Sequence, residues 1–200
     1  HGTIALSMAL VSHRLVHRIE TPVTTIRYET PAGRVTAEVG IENGEAAWTR
    51  FQNVPAFVLA QDVPVELPGY GRATADISFG GNFFAIVRWP DKVRGVAPEN
   101  AGLLAEMGLL VKQQINEKMT VQHPTRPHIS GLHFTTFWQD PDRPDSLYRN
   151  VHIFSDGKLD RSPGGTGTSA MMAMFEARGV IGLNQKIRSE GLLGSGQFEG

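Results

Sequence analysis

The chain has 200 residues, 40% of them hydrophobic, and a formal net charge of −1 at pH 7. That size and apolar content support one large packed domain or two small ones, and the near-neutral charge excludes an electrostatic binder of nucleic acid or anionic membrane. With no cysteine, the chain itself has neither disulfide nor thiolate chemistry, and no apolar run approaches the roughly 20 residues of a membrane span.

The pattern from His1 to about Val16 is helical, with Ala5, Leu6, Met8, Ala9, Leu10, Leu15 and Val16 on a broad apolar face. So apolar a helix is expected to be buried, as a central helix wrapped by sheet would be. His13 and His17 stand at i, i+4 but lack a third ligand, so they read as surface histidines near the helix C-terminus. Val23–Tyr28 and Arg34–Val39 alternate in polarity around Pro31-Ala32-Gly33, which predicts a hairpin. Short strands are expected over Trp48–Phe57 and Val63–Leu67, with prolines marking their ends. Further strands follow at Ala73–Phe79 and Asn82–Val87. The glycine pair Gly80-Gly81 between them predicts a bulge or a close backbone approach.

Pro98 to Met119 is the longest helical pattern, with Leu103, Met107, Leu110, Val111 and Ile115 at the 3.6 period and Pro98 in the first turn. A lobe boundary is placed here, giving residues 1–95 and 96–200. Met119–Trp138 mixes strand signals with His123, His128 and His133, which lack carboxylate partners and a helical register; no metal site is expected. A polar loop over Gln139–Leu147, a strand at Val151–Phe154 and a turn at Ser155–Lys158 complete the approach to the stretch that carries chemistry.

That stretch is Asp160-Arg161-Ser162-Pro163-Gly164-Gly165-Thr166-Gly167-Thr168-Ser169-Ala170, running straight into Met171-Met172-Ala173-Met174-Phe175. A glycine-rich turn feeding a helix presents free backbone N–H groups and the positive end of the helix dipole, which suits a carboxylate or phosphate. The chain also opens on a similar phrase: His1-Gly2-Thr3-Ile4-Ala5-Leu6 lines up with Thr166-Gly167-Thr168-Ser169-Ala170-Met171. The repetition predicts two related halves, each presenting a helix start, that hold one small anion between them. The dinucleotide glycine spacing and the lysine of a phosphate-binding loop are both absent.

The Asp160–Ala170 phrase resembles the second active-site motif of the proline racemase family, which includes 4-hydroxyproline epimerases and trans-3-hydroxyproline dehydratases. His1-Gly2-Thr3 resembles the end of that family's first motif, Met-Cys-Gly-His-Gly-Thr. Phe51–Phe57, Leu67–Gly71, Phe79–Val87 and Gln197–Gly200 resemble further family blocks in the same order. The chain opens inside a motif and ends where family members continue, so a piece trimmed at both ends is expected. The resemblance implies an α/β (α+β), diaminopimelate-epimerase-like fold. It has two similar lobes, each a curved, mostly antiparallel sheet around a central helix. It further implies proline or a hydroxyproline as substrate, no metal, nucleotide or pyridoxal cofactor and a possible homodimer; composition alone makes a cytoplasmic location the expectation.

By the same resemblance, Asp160 binds the substrate's ring nitrogen. His1, with the backbone at Gly165 and Thr166, binds its carboxylate, and His133 falls where some members place a substrate-contacting histidine. The family uses one cysteine before each helix as acid and base on opposite faces of the α-carbon. Cysteine suits this work because helix N-termini lower its pKa. Here the second of these positions is Gly164, which carries no side chain, and the first falls two residues before His1. One remaining base suffices for β-elimination, so Gly164 leans the reading toward a dehydratase. The alternative is a non-catalytic, imino-acid-binding or decayed member.

Overall fold

The computed structural model describes residues 2–91 and 93–200. Its contacts separate two compact units, parting at Val54/Pro55. In the first, α1 (Gly2–Ser12) packs on a three-stranded antiparallel sheet of β1 (Val23–Thr30), β2 (Gly33–Glu42) and β3 (Glu45–Gln52). The hairpin is found where the alternation placed it, and Val35, Ala37 and Val39 form the buried row of the central strand. Asn43 and Gly44 make the second turn with positive φ.

Helix α1 is shorter than its apolar pattern. Arg14 takes φ 56, Arg14 N donates to Val11 O and Leu15 N to Leu10 O. These are the paired bonds of a Schellman stop, so Leu15 and Val16 lie past the helix. His13 and His17 therefore do not share a helical face. Nor is α1 buried all round: Ser7 and Val11 are its buried residues, and Leu6 is 49% exposed. The sheet of this unit covers one side of the helix.

The second unit is built on an eight-stranded sheet. Its strands are β4 (Phe57–Leu67), β5 (Gly71–Phe79), β6 (Phe83–Arg88), β9 (Phe134–Gln139), β10 (Tyr148–Ile153), β11 (Leu159–Asp160), β12 (Arg188–Glu190) and β13 (Gln197–Glu199). A separate two-stranded piece, β7 (Gln122–His123) and β8 (Arg126–Ser130), precedes β9. The sheet order is β13-β12-β10-β9-β6-β5-β4, with β11 on the free half of β10; β6/β9 and β10/β12 pair in parallel and the rest antiparallel. The lobe boundary expected at residues 95/96 falls in the connection between β6 and the next helix, inside this unit.

Helices α2 (Ala101–Lys118) and α3 (Gly165–Ala177) cover opposite faces of the central strands. Side chains in β9 and β10 alternate between the two faces. Thr135 Oγ1 donates to Gly108 O of α2, and Ile153 packs on Gly108. Thr136 and His152, one residue along each strand, face α3 instead. Pro98 opens a short 3-10 turn ahead of α2, and the helix buries Leu104, Met107, Val111 and Ile115. Under α3, Phe84, Ile86 and Tyr148 pack against Ala170, Met171, Met174 and Phe175. Gly179, at φ 69, stops α3 with the same paired bonds as α1: Gly179 N to Glu176 O and Val180 N to Phe175 O.

The glycine pair expected to mark a close backbone approach does so at Gly80. A Cβ there would overlap the Thr166 carbonyl oxygen and stand 2.6 Å from Ala170 N. The β5–β6 connection thus lies directly on the first turns of α3, and Ser78 Oγ reinforces it with a 2.8 Å bond to Ala170 O. Backbone on both sides leaves nothing soft to yield. Gly80→Ala is expected to lower stability by about 2 kcal/mol or more, read as a shift of the urea midpoint.

Candidate active site

The site grows from the turn between β11 and α3. Asp160 ends β11 and folds the chain back on itself: its Oδ1 accepts from Ser162 N and from Ser162 Oγ, both at 2.9 Å. Ser162 Oγ in turn takes a 3.2 Å bond from Gly164 N. This Asx-type turn is the local reason for an aspartate two residues before a serine. Asp160 Oδ2 points onward, 3.6 Å from where a Cβ on Gly164 would stand.

Gly164 is the N-cap of α3, with φ 75 and ψ 121, a backbone state that favours glycine. No side chain caps the helix. The N–H groups of Gly165, Thr166 and Gly167 precede the first intrahelical bond, made by Thr168 N to Gly164 O at 2.9 Å. An uncapped helix start beside a carboxylate can take both charges of a zwitterion: N–H donors and the dipole for its carboxylate, Asp160 for its ammonium.

The structure thus brings together Asp160, Gly164, Gly165 and Thr166. His133 stands elsewhere, exposed at the entrance to β9, its Nε2 3.3 Å from Ser130 O. Among the described residues no hydrogen bond ties it to Asp160 or to the start of α3. His1 lies outside the described residues.

Sequence reasoning missed His152. On β10 it pairs with Asp160 of β11, and its ring is 2% exposed. Nδ1 meets Thr136 Oγ1 at 2.7 Å and Nε2 lies 2.8 Å from Pro163 O. The ring fills the space that glycines leave open. A Cβ on Gly164 would stand 2.5 Å from Nε2, overlapping the ring, and one on Gly167 would overlap it too. The available signal was a single histidine inside the apolar strand Val151-His152-Ile153.

Burial holds the His152 imidazole below its ordinary pKa, opposed by the hydrogen bond to Pro163 O and the charge of Asp160. The folded protein therefore resists a proton that the unfolded chain accepts. The stability this contributes is present above the unfolded pKa of about 6.5 and is lost as pH falls below it. The urea midpoint is expected to drop between pH 7.5 and 5.5, and His152→Gln should flatten that drop.

The model of the proline racemase family matches residues 1–200. A 4-hydroxyproline 2-epimerase of Cereibacter sphaeroides is 59% identical over 200 residues, all of this chain and 59% of that protein. A proline racemase of Clostridioides difficile is 41% identical over 195 residues, 98% of this chain and 58% of its own length. Among solved structures, a hydroxyproline epimerase from Agrobacterium vitis with bound trans-4-OH-L-proline superposes with a TM-score of 0.90 at 32% identity. It is covered over 98% of this chain and 56% of that one. The chain spans somewhat under three fifths of the length of these relatives. It folds as a mixed α/β protein, and among the described residues no helix is long and apolar enough to cross a membrane. With the family model matched from end to end, the chain belongs to the proline racemase family.

Proposed function

We propose that the full-length protein carrying this chain inverts the α-carbon of 4-hydroxyproline or proline by cofactor-independent proton transfer. The observation that carries this reading is the uncapped start of α3 beside Asp160. Backbone N–H groups of Gly165 and Thr166 receive the substrate carboxylate and stabilise the charge that develops there as the α-proton leaves. Asp160 receives the ring nitrogen. His1 completes the substrate contacts, while His133, at the entrance to β9, is left outside them, and the protein works in the cytoplasm as a homodimer. The printed activities of the Cereibacter sphaeroides and Agrobacterium vitis proteins support the substrate class.

A second reading is favoured by one residue. Gly164 offers no proton-carrying side chain, and a single base suffices for β-elimination of water from trans-3-hydroxyproline. Proton NMR in D2O separates the two. Inversion at C2 with deuterium uptake is the expected result for 4-hydroxyproline or proline. Loss of water from trans-3-hydroxyproline without inversion would replace the first reading with the second. Binding with neither exchange nor elimination would leave an imino-acid-binding protein and end both.

A further inference from the structure

The proposed site receives the substrate carboxylate on backbone N–H groups, so its affinity depends on how that backbone is turned. We infer that Asn150, His152 and Thr168 are positioning residues that hold the Pro163–Gly164 peptide in the orientation that leaves the start of α3 open to an anion. The inference rests on the imino-acid reading above and adds the residues that shape its carboxylate site.

The argument starts from one crowded acceptor. Among the described residues, three side-chain donors converge on Pro163 O: His152 Nε2 at 2.8 Å, Asn150 Nδ2 at 3.3 Å and Thr168 Oγ1 at 3.5 Å. All three residues are buried. Asn150 and His152 stand two apart on β10, so both leave the sheet on the side of α3. Thr168 reaches the same oxygen from the first turn of the helix. A carbonyl only accepts, so Nε2 carries the proton of the neutral His152 ring, and Nδ1 accepts from the Thr136 hydroxyl.

The N–H end of this peptide points the other way. Gly164 N donates to Ser162 Oγ, which donates in turn to Asp160 Oδ1. Rotating the peptide would exchange its two ends. Pro163 O would then face the Ser162–Asp160 side and bring a carbonyl dipole against an incoming carboxylate. Residue 164 by itself does not resist this, because glycine accepts either sign of φ. The resistance comes from β10: rotation would strand the buried N–H groups of Asn150 and His152 without an acceptor. Gly191 backs the same turn, since a Cβ there would stand 2.7 Å from Ser162 C and 2.8 Å from Pro163 N. The sheet thus supplies the rigidity that a glycine at 164 gives up.

The test uses the full-length protein and isothermal titration calorimetry with two ligands, 4-hydroxyproline and its carboxamide, which lacks the anionic group. The unsubstituted protein is expected to hold the acid more tightly. His152→Leu and His152→Gln remove the same ring, but only glutamine returns an N–H toward Pro163 O. His152→Leu and Asn150→Leu are each expected to weaken binding of the acid about 5-fold and to leave the carboxamide unchanged. His152→Gln should stay near the unsubstituted affinity. Thr168→Val keeps the side-chain shape and removes the third donor, so it carries the same expectation if a leucine variant does not fold. Equal losses for acid and carboxamide, unchanged acid affinity in these variants, or no preference for the acid in the unsubstituted protein overturn the positioning role and leave the imino-acid reading intact. Failure of the unsubstituted protein to bind either 4-hydroxyproline or proline would overturn that reading itself.

Discussion

Gly164→Cys, which puts the family's motif residue at the start of α3, is expected to destabilise this protein by about 3 kcal/mol. Two separate costs add. The backbone at Gly164 has φ 75, where any Cβ is strained by about 1–2 kcal/mol. The new side chain would also run into the His152 ring, which cannot retreat. It is held at Nδ1 by Thr136 and at Nε2 by Pro163 O, in a fully packed site. Overpacking of this kind costs about 1–3 kcal/mol. Removing the ring should relieve the second cost and leave the first. Urea unfolding of Gly164→Cys, His152→Ala and the double variant should therefore show a favourable coupling of about 1–2 kcal/mol. If Gly164→Cys unfolds at the wild-type midpoint, the ring does not stand where a side chain at 164 would project.

Arg178→Ala is expected to cost about 2 kcal/mol, less than for a fully buried pair because the arginine reaches solvent. Asp76 is 5% exposed and is met by two arms of the Arg178 guanidinium, Nε to Oδ2 and Nη2 to Oδ1, each at 2.6 Å. Asp62 N adds a 3.0 Å bond to Oδ1, and Asp62 Oδ1 takes a further 2.8 Å bond from Arg178 Nη2. The bonds to Asp76, then those to Asp62, push the guanidinium pKa above its ordinary value. Truncating the arginine would strand a carboxylate in the sheet without its cation. Arg178→Lys keeps the charge but not the two-pronged geometry, so it should recover part of the loss. Arg178 directly follows α3 and Asp76 lies in β5, so this pair anchors the helix C-terminus as Gly80 seats its N-terminal turns. Differential scanning calorimetry with and without 0.5 M salt checks the claim. Arg178 reaches solvent while Asp76 does not, so salt should weaken the pair only in part, and a melting point unmoved by Arg178→Ala would sink the claim.

Much of the second unit is local chemistry. Pro163 and the glycines that follow cannot continue a strand, and the Ala/Met/Phe run after them is a helix former. The order strand, turn, helix at Asp160–Ala177 is therefore readable from residue type alone. So is the hairpin at Pro31-Ala32-Gly33, because the alternation on both sides is unbroken. The pair Gly80-Gly81 announced a close approach, although only the fold names α3 as what approaches. Expectation and outcome part where a residue's partner is distant in sequence. Leu15 and Val16 continue the apolar pattern of α1, yet Arg14 turns left-handed and ends it. Residues 57–88 read as belonging with the first half, but β6 pairs in parallel with β9 and joins them to the second.

The sequence by itself determined the family, the glycine-rich helix start and the absence of a thiol at position 164, because each lies in one contiguous phrase. The tertiary structure decided what stands in that thiol's place. The antiparallel register of β10 with β11 sets His152 opposite Asp160, and the period of two along β10 turns its ring toward α3. Two glycines far along the chain, Gly164 and Gly167, leave room for it. That coincidence of strand register, side-chain alternation and missing Cβ atoms exists only once the sheet and helix have packed.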